Sequence, residues 1–360
     1  MYPEIPTSAL SFPNRTSKTF LTSVALNPFA YVPWLSDANT MESLHANPMT
    51  MVTLALLDEP RFASRRIMLD RSSMLCLTVG MNKLSMEERA RVVAALVEGN
   101  SLRAVSRMTG THRSAILKLL ADLGRACSIY QDKAFRKLTC KRIQCDEIWS
   151  FVGAKERNAS AEKKEKGWGD AWTWVALDAD TKLVPCWYVG TRDAGAAYHF
   201  MHDLADRLSH RVQLTTDGYK PYLRAVEDAF GDQVDYAQLV KIYGEAPKTE
   251  ARYSPAQCMG TRIAALSGKP ESAHVSTSFV ERQNLTMRMQ MRRFTRLTNG
   301  FSKKVENHEH AVALHFMHYN FCRVHQTLRV TPAMEAGLSD HVWSLDEVIV
   351  LLELPAAKAA

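Results

Sequence analysis

Residues 141–152, KRIQCDEIWSFV, predict a β-strand with a carboxylate in its middle. β-Branched and aromatic side chains are enriched in strands, and Asp146 lies inside such a run. A buried carboxylate without a partner costs free energy, so Asp146 requires a nearby group that stabilises its charge. Because side chains alternate along a strand, Glu147 is predicted to point to the opposite face, and we expect it to be solvated.

A second acid, Asp217, ends a short apolar strand at residues 212–218, VQLTTDG. Open α/β sheets place their ligand sites at the carboxyl ends of strands, which favours a functional Asp217. The alternative is that Asp217 only forms an Asp-Gly turn.

The patterns around these two strands alternate between strand and helix, which predicts an α/β fold with a mixed sheet. Ahead of Asp217 we expect a hairpin with its turn at Asp178 and Asp180, formed by residues 172–177 and 183–189, and then a helix at 194–209. After Asp217 we expect a helix at 219–230, a strand at 234–243 and an irregular, Pro- and Gly-bearing loop at 244–277.

The third acid opens a predicted helix at residues 276–294, STSFVERQNLTMRMQMRRF. Ser278 and Glu281 have the Ser-x-x-Glu spacing of a capping box. Helical spacing from Glu281 then places Asn284, Leu285, Arg288 and Arg292 along one face. This helix face thus begins with a carboxylate and continues with arginines. Such an arrangement suits a metal ion that is bound next to a polyanion. The alternative is that Glu281 only caps the helix and the arginines are solvated.

Residues 85–123 predict three helices that precede the α/β part. A capping box at Ser85 and Glu88 begins the first, residues 101–108 form a short second helix, and a turn at Gly110 leads into a third at 112–123. This order is typical of a helix-turn-helix. The third helix exposes residue types that contact bases and phosphates in the major groove, namely His112, Arg113, Ser114 and Lys118. The alternative is a plain three-helix bundle with basic surface residues.

The charge of the chain is basic and local. Its 360 residues carry a net charge of +7, and residues 282–330 contain nine Arg or Lys opposed only by Glu306 and Glu309. Such a region suits an acidic partner such as DNA. The predicted phosphate contacts are Arg282, Arg288, Arg292, Arg293, Arg296, Lys303 and Lys304.

Seven cysteines are scattered without a C-x-x-C pair, which predicts reduced thiols, a cytoplasmic location and no zinc finger. We expect no membrane span, because no apolar run approaches about 20 residues, and no export signal.

Residues 1–80 show no sustained period and hold seven of the fourteen prolines. We expect a poorly structured extension there, and an alternative is that the natural start is Met81 or Met74. The predicted organisation is this extension, a helix-turn-helix module at 81–125, a catalytic domain at 126–300 and a basic helical region at 301–360.

Four segments together resemble the transposases of the IS-one family (bacterial insertion sequence one). They are QCDEIWSFVGAK, TTDGYKPY, STSFVERQNLTMRMQMRRFTRLTNGFSKK and HYNFCRVHQTLRVTPAMEAG, and the resemblance covers residues 81–352. It implies a ribonuclease-H-like fold whose Asp-Asp-Glu triad falls on Asp146, Asp217 and Glu281. It also implies cutting at terminal inverted repeats and joining to target DNA without a covalent protein–DNA intermediate. Some relatives place a cysteine zinc motif before the helix-turn-helix, and this chain has none.

Three converging carboxylates repel one another, and a divalent cation is the usual remedy. We expect two Mg²⁺ ions about 3.5–4 Å apart, for which Mn²⁺ can substitute, to assist phosphoryl displacement. The expected partners are the inverted repeats, target DNA and a second copy of the chain in a dimer or larger assembly on the bacterial nucleoid. Two alternatives stay open: a catalytically silent DNA-binding regulator, and a ribonuclease-H-like nuclease that hydrolyses without strand transfer.

Overall fold

The centre of the fold is a six-stranded mixed sheet. A computed structural model describes residues 83–244, 257–295 and 298–354, so the predictions for residues 1–80 and for Arg296 lie outside the described residues. The strands are β1 (Arg142–Val152), β2 (Gly169–Asp178), β3 (Cys186–Gly190), β4 (Val212–Thr216), β5 (Val234–Tyr243) and β6 (Cys258–Ser267). Their order in the sheet is β3-β2-β1-β4-β5-β6. A mixed α/β architecture is thereby confirmed.

Ten α-helices are found in the described part of the chain. In chain order they are α1 (Met86–Val97), α2 (Leu102–Thr109), α3 (Arg113–Ala134), α4 (Ala161–Glu165), α5 (Ala194–Arg207), α6 (Pro221–Phe230), α7 (Ser278–Gln290), α8 (Val305–Met317), α9 (Pro332–Glu335) and α10 (Leu345–Val350). Short turns of 3₁₀-helix lie at Glu156–Asn158, Ser272–His274, Arg292–Phe294 and Leu351–Glu353, and a π-helical turn lies at His318–Cys322. Among the described residues, no helix is both long and apolar enough to span a bilayer.

The register of the sheet brings two predicted acids to the same level. β1 runs antiparallel to β2 and parallel to β4, with Gln144 opposite Thr215. Asp146 lies two residues after Gln144, and Asp217 lies two residues after Thr215. β4 ends at Thr216. Asp217 is therefore the first residue beyond its strand, level with Asp146 on the next one.

Two hydrophobic clusters cover the two faces of the sheet. Trp174, Phe200 and Leu123 belong to one cluster, which also contains buried residues of the N-terminal helices. Ile148 and Val280 belong to the other, which joins β1 to α7 and α8. A face of β1 that carries Asp146 is thus packed against α7, and the face that carries Glu147 lies toward α5 and α6.

The three predicted N-terminal helices are present, and the capping box of Ser85 and Glu88 is confirmed. α3 extends well beyond the predicted end at residue 123, because its second half packs on α8. A Cβ added at Gly124 would lie 2.4 Å from the carbonyl oxygen of His310, so glycine allows the two helices to touch. Gln131 Nε2 also donates to the carbonyl of Ala313 at 3.1 Å. Whether residues 81–125 act as a recognition module stays a prediction, because their packing does not test it.

β6 corrects the prediction of an irregular loop at residues 244–277. It pairs antiparallel with β5 from Tyr236 opposite Ser267 to Tyr243 opposite Cys258. Most β6 residues are exposed on either face, so the strand lacks the alternation of apolar and polar residues that would reveal it. Backbone hydrogen bonds to β5 hold it at the edge of the sheet.

The other predicted elements are confirmed with small shifts in their ends. The hairpin of β2 and β3 turns at Asp178, whose carboxylate accepts from Thr181 Oγ1 at 2.6 Å. α5 and α6 begin or end within two residues of the predicted bounds, and β5 has the predicted ones. The sequence therefore predicted the order of the main strands and helices correctly, apart from the edge strand and the short helix α4.

Candidate active site

Three carboxylates converge where β4 ends. An oxygen of Asp146, one of Glu147 and one of Asp217 all lie within 4.8 Å of one another. We call these three residues the acid cluster. Glu147 points to the opposite face of β1 from Asp146. It still reaches the acid cluster, because β4 ends at Thr216 and leaves the space beside β1 open at this level.

Asp146 is held in an environment that disfavours its charge. Burial, and then the charges of Asp217 and Glu281, raise its pKa from 3.8 to about 6. A hydrogen bond from Asn284 Nδ2 to Asp146 Oδ2, 2.8 Å long, acts in the opposite direction. The pair of Asp146 and Asn284 links β1 to α7, and it supports the prediction that Asn284 shares a helix face with Glu281.

The prediction that Glu147 is solvated is wrong, because its side chain is only 1% exposed. α5 and α6 cover its face of the sheet. Arg192 Nε donates to Glu147 Oε2 at 3.1 Å, whereas Oε1 is buried without a hydrogen bond of ordinary geometry. Burial raises the pKa of Glu147 to about 7; Tyr222 and Arg192 lower it, and the charges of Asp217 and Asp146 raise it.

Arg192 connects the acid cluster to two aromatic rings. Its Nη2 lies 3.7 Å from Asp217 Oδ2, in addition to its bond with Glu147. Its Cζ lies 4.0 Å from the ring centroid of Tyr219 and 4.9 Å from that of Trp172. The Tyr219 hydroxyl donates to the Arg192 carbonyl at 2.8 Å, which fixes the stack. No sequence pattern marks Arg192 as functional, since it follows β3 in a short polar turn.

Glu281 does not form the predicted capping box. α7 begins at Ser278 without a side-chain cap from its first residues. Instead Gln144 Oε1, from β1, accepts hydrogen bonds from the backbone N–H of Phe279 at 2.9 Å and of Val280 at 3.2 Å. Gln144 thus takes the place of a side-chain cap, and the carboxylate of Glu281 does not cap the helix. The alternative that Glu281 only caps the helix is therefore wrong, as is the predicted capping box.

The carboxylate of Glu281 is bound by a lysine from β5. Lys241 Nζ lies 2.5 Å from both carboxylate oxygens, and Thr277 Oγ1 donates to Oε1 at 2.5 Å. Glu281 is near enough to raise the pKa of Asp146, yet among the described residues the group within 4.8 Å contains Glu147 instead of Glu281. The structure thus brings together Asp146 and Asp217 and leaves Glu281 beside them in an ion pair. Lys241 has a weak sequence signal, as a charged residue within an apolar strand.

The donors at this site fit a hard divalent cation. All three members of the acid cluster offer carboxylate oxygens, the ligands that Mg²⁺, Mn²⁺ and Ca²⁺ prefer. One buried oxygen nearby, Asn284 Oδ1, has no hydrogen-bond partner. A cation would relieve the repulsion that raises the pKa of Asp146.

The predicted DNA-contacting residues occupy several places. A groove of about 1030 Å³ lies between the start of α3 and the segment after α7, and we call it the basic groove. Among the residues that line it, the charged and histidine side chains are Arg103, His112, Arg113, Arg292, Arg293, Lys303 and His315. None of its lining residues is acidic. Ser114 lines it as well, so predictions from two distant parts of the chain meet there.

Four of the other predicted contacts lie outside the lining of this groove. Lys118, Arg282 and Lys304 are exposed, and Arg288 is half-buried. The predicted face that joined Glu281 to Arg292 is wrong at its far end, because α7 ends at Gln290 and Arg292 starts a 3₁₀ turn.

Arg293 is half-buried and donates to Ser302 Oγ at 2.6 Å, and burial lowers its pKa to about 10. Its guanidinium is therefore directed into the protein, unlike that of a surface phosphate contact.

No protein-family model and no curated protein matches the chain. Solved structures that it is similar to include a Mos1 transposase paired-end complex with the left transposon end, at 12% identity over 50% of this chain and 61% of that one, with a TM-score of 0.20. Another is a piggyBac transposase synaptic complex with hairpin DNA, at 11% identity over 80% of this chain and 76% of that one, with a TM-score of 0.31. A second Mos1 complex, with Mn, matches over 59% of its own length. The chain thus spans about three fifths of the length of these two Mos1 chains. Because the identities and TM-scores are this low, its function has to be argued from its own residues.

Proposed function

We propose that the chain is the transposase of a bacterial insertion sequence, a metal-dependent enzyme that cuts DNA at terminal inverted repeats and joins the ends to target DNA. The observation that supports this most directly is the level placement of Asp146 and Asp217 on adjacent parallel strands, with an oxygen of each within 4.8 Å. The order of the five strands β3-β2-β1-β4-β5 and the helix α7 over the acids are compatible with a ribonuclease-H-like fold, as the resemblance implies.

In this proposal, Asp146, Asp217 and a third acid hold the cation. Two Mg²⁺ ions, when bound, would supply an activated water or 3′-hydroxyl and stabilise the leaving oxygen of a phosphodiester. Asn284 fixes the carboxylate of Asp146 through its 2.8 Å bond, and Arg192 orients Asp217 from the other side. Without a cation the pKa of Asp146 is about 6, and a bound cation would lower it by stabilising the carboxylate.

The third acid is Glu281 in this proposal, and Glu147 is its competitor. Glu281 lies on α7 one turn before Asn284, which already contacts Asp146. Its carboxylate is bound to Lys241, so it becomes a ligand by exchanging that lysine for the cation. Glu147 is closer to the other two acids but is enclosed on the opposite face with Arg192.

A cleavage assay decides between these acids. Labelled DNA that carries the ends flanking this gene is incubated with Mg²⁺ and the wild type, Glu281→Gln, Glu147→Gln or Glu227→Gln. Glu227 is an exposed acid on α6 and serves as the control. We expect Mg²⁺-dependent nicking at the element boundary by the wild type and the control, and none by Glu281→Gln. If Glu281→Gln cuts and Glu147→Gln does not, the third ligand is Glu147.

The DNA contacts in this proposal are predicted residues that are exposed or line the basic groove, together with the half-buried Arg288. They are His112, Arg113, Ser114, Lys118, Arg282, Arg288, Arg292, Lys303 and Lys304. Each phosphate contact that is removed should lower the salt dependence of binding by about one unit. Arg293 differs, because it is engaged with Ser302.

A second candidate function is the silent DNA-binding regulator. The observation in its favour is that cations of the chain itself already pair with the acids, Lys241 with Glu281 and Arg192 with Glu147 and Asp217. Specific binding of the element ends without any cutting by the wild type would support this candidate. Cutting without joining to a second DNA would instead support the nuclease.

A further inference from the structure

Four half-exposed aromatic rings form a row that begins beside the acid cluster. Trp149 and Phe151 lie on β1 with ring centroids 5.8 Å apart, and Phe301 lies 4.9 Å beyond Phe151. Trp172 of β2 is directly opposite Trp149 in the sheet register. We call these four residues the aromatic row.

The row exists because β1 and β2 extend beyond their neighbour. β4 pairs only with residues 142–144 of β1, so the part of β1 that carries the row has no β4 residue beside it. Farther back on the same face, Trp174 is fully buried under α5 and α6. Trp149, Phe151 and Trp172 continue that face but remain half-exposed.

Both ends of the row lead to features of the proposed reaction. At one end, Trp172 stacks on Arg192, which contacts Glu147 and Asp217 of the acid cluster. At the other end, Phe301 also lines the basic groove together with Arg113. The row therefore connects a residue of the basic groove with Arg192 beside the acid cluster.

Cations accompany the rings along this path. Lys155 Nζ lies 5.5 Å from the ring centroid of Trp149, and Arg192 covers Trp172 at 4.9 Å. Lys303 lies two residues from Phe301 and lines the basic groove. Each of the first two cations lies over one face of its ring. Aromatic rings interleaved with cations are the combination that binds a single nucleic-acid strand, in which bases stack and phosphates are neutralised.

We propose that the aromatic row stacks unpaired bases of a DNA strand that passes from the basic groove to the acid cluster. This inference rests on the proposed function, since it assumes that DNA is the substrate. Bases within a duplex are already stacked on one another and do not offer their faces to a protein. The row therefore selects DNA whose strands are separated near the cut, and it does so without reading sequence, because every base has a flat face.

Binding of short oligonucleotides tests the row apart from catalysis. Fluorescence anisotropy is measured in EDTA, for the full chain, with a labelled eight-nucleotide thymidine strand and with a duplex of the same length. The variants are Trp149→Leu and Phe301→Leu, with Trp149→Phe as the conservative replacement. Tyr198→Leu is the matched control, because Tyr198 is an exposed aromatic residue on α5 away from the row.

We expect each leucine variant to weaken single-strand binding about tenfold and duplex binding by less than about twofold. Trp149→Phe should stay near the wild type, because a ring remains, and Tyr198→Leu should be unchanged. If a leucine variant does not fold, as judged by circular dichroism, the second measurement is tryptophan fluorescence during titration with the single strand. The quenching seen for the wild type should then be smaller in the folded Trp149→Phe variant.

Single-strand affinity that is unchanged in both leucine variants would overturn the proposal, as would equal losses for single strand and duplex. A failure of the proposed function would be seen in a different measurement, the cleavage assay. Asp217→Asn should abolish Mg²⁺-dependent nicking and leave single-strand binding intact, so a wild type that never nicks refutes the enzyme whatever the row binds.

Discussion

β1 carries two polar clusters, and they differ in how completely their atoms are paired. Near its middle is the acid cluster, with raised pKa values at Asp146 and Glu147. Farther along, Ser150 contacts His308, which contacts Ser302, which accepts from Arg293. We call these last four residues the histidine network.

The histidine network is neutral where it is deepest and fully hydrogen-bonded. Ser150 Oγ donates to the Ala171 carbonyl at 2.9 Å, so it can accept from His308 Nε2 at 3.2 Å. Nδ1 of His308 then accepts from the Ser302 hydroxyl at 3.0 Å. Burial, together with the charge of Arg293, lowers the pKa of His308 to about 3, which keeps the ring uncharged.

Polar residues on one strand can thus lie in very different surroundings. In the histidine network, the two serine hydroxyls and both ring nitrogens have partners inside the protein, as buried polar groups require for stability. In the acid cluster, like charges face one another and raise the pKa of Asp146 and of Glu147, an arrangement that becomes favourable when a cation binds. The histidine network thus stabilises the fold, whereas the raised pKa of Asp146 means that its ionisation opposes folding.

The largest expected effect is on catalysis and separates the two clusters most sharply. Asp217→Asn should reduce Mg²⁺-dependent nicking by about 10³-fold or more, because a cation ligand is lost, and should leave DNA binding unchanged. Ser150→Ala, in the other cluster, should cut at the wild-type rate. The measurement is single-turnover cleavage of labelled element ends beside a binding assay. A Ser150→Ala enzyme as inactive as Asp217→Asn would show that the two clusters act together.

The next effect is on stability. His308→Leu should lower the free energy of unfolding by about 3 kcal/mol, because the buried hydroxyls of Ser302 and Ser150 would both lose their hydrogen bond to the ring. Urea denaturation followed by circular dichroism measures it. The control is His341→Leu, since His341 is exposed and outside this network. A loss below about 1 kcal/mol would mean that the network contributes little to stability.

Much of the fold was predictable because it depends on local patterns. Asp146 and Asp217 follow from strand runs, and the helix that carries Glu281 follows from its periodicity. The partners of these acids were not predictable, since Arg192 is 45 residues from Glu147 and Lys241 is 40 residues from Glu281. Sequence spacing along one strand correctly placed Glu147 on the opposite face, but only the packing of α5 and α6 buries it.

The same limit explains two of the wrong predictions about local structure. Ser278 and Glu281 have the right spacing for a capping box, yet Gln144 from β1 takes that role. β6 has no alternating pattern because it is exposed on both faces. In both cases a contact with a distant strand decided the outcome.

A smaller effect concerns the acids without a cation. Asp146→Asn should raise the free energy of unfolding by about 1–2 kcal/mol at pH 7 in EDTA, since the pKa of Asp146 is raised from 3.8 to about 6 in the folded protein. A raised carboxyl pKa means that ionisation opposes folding, so the wild type loses stability as the pH rises from about 3.8 to 6. The gain from the substitution should therefore be complete above pH 6 and disappear as the pH falls toward 3.8.

Thermal unfolding of both proteins from pH 4 to pH 8 measures this difference, and Asp228→Asn, at an exposed acid on α6, is the control. Equal stability of Asp146→Asn and the wild type at every pH would show that the acid cluster is not under electrostatic strain. Added Mg²⁺ should stabilise the wild type more than Asp146→Asn, because only the wild type has the full set of ligands.

The smallest effect tests how the helix over the acids is held. Gln144→Leu should destabilise the protein by about 1 kcal/mol, because the N–H groups of Phe279 and Val280 lose their acceptor at the start of α7. Ser278→Ala should change stability by less than about 0.5 kcal/mol, because Ser278 does not cap the helix. Urea denaturation measures both losses of stability. A larger loss for Ser278→Ala than for Gln144→Leu would mean that Ser278 and Glu281 form the capping box after all. It would also return Glu281 to a structural role, and the third acid would then have to be Glu147.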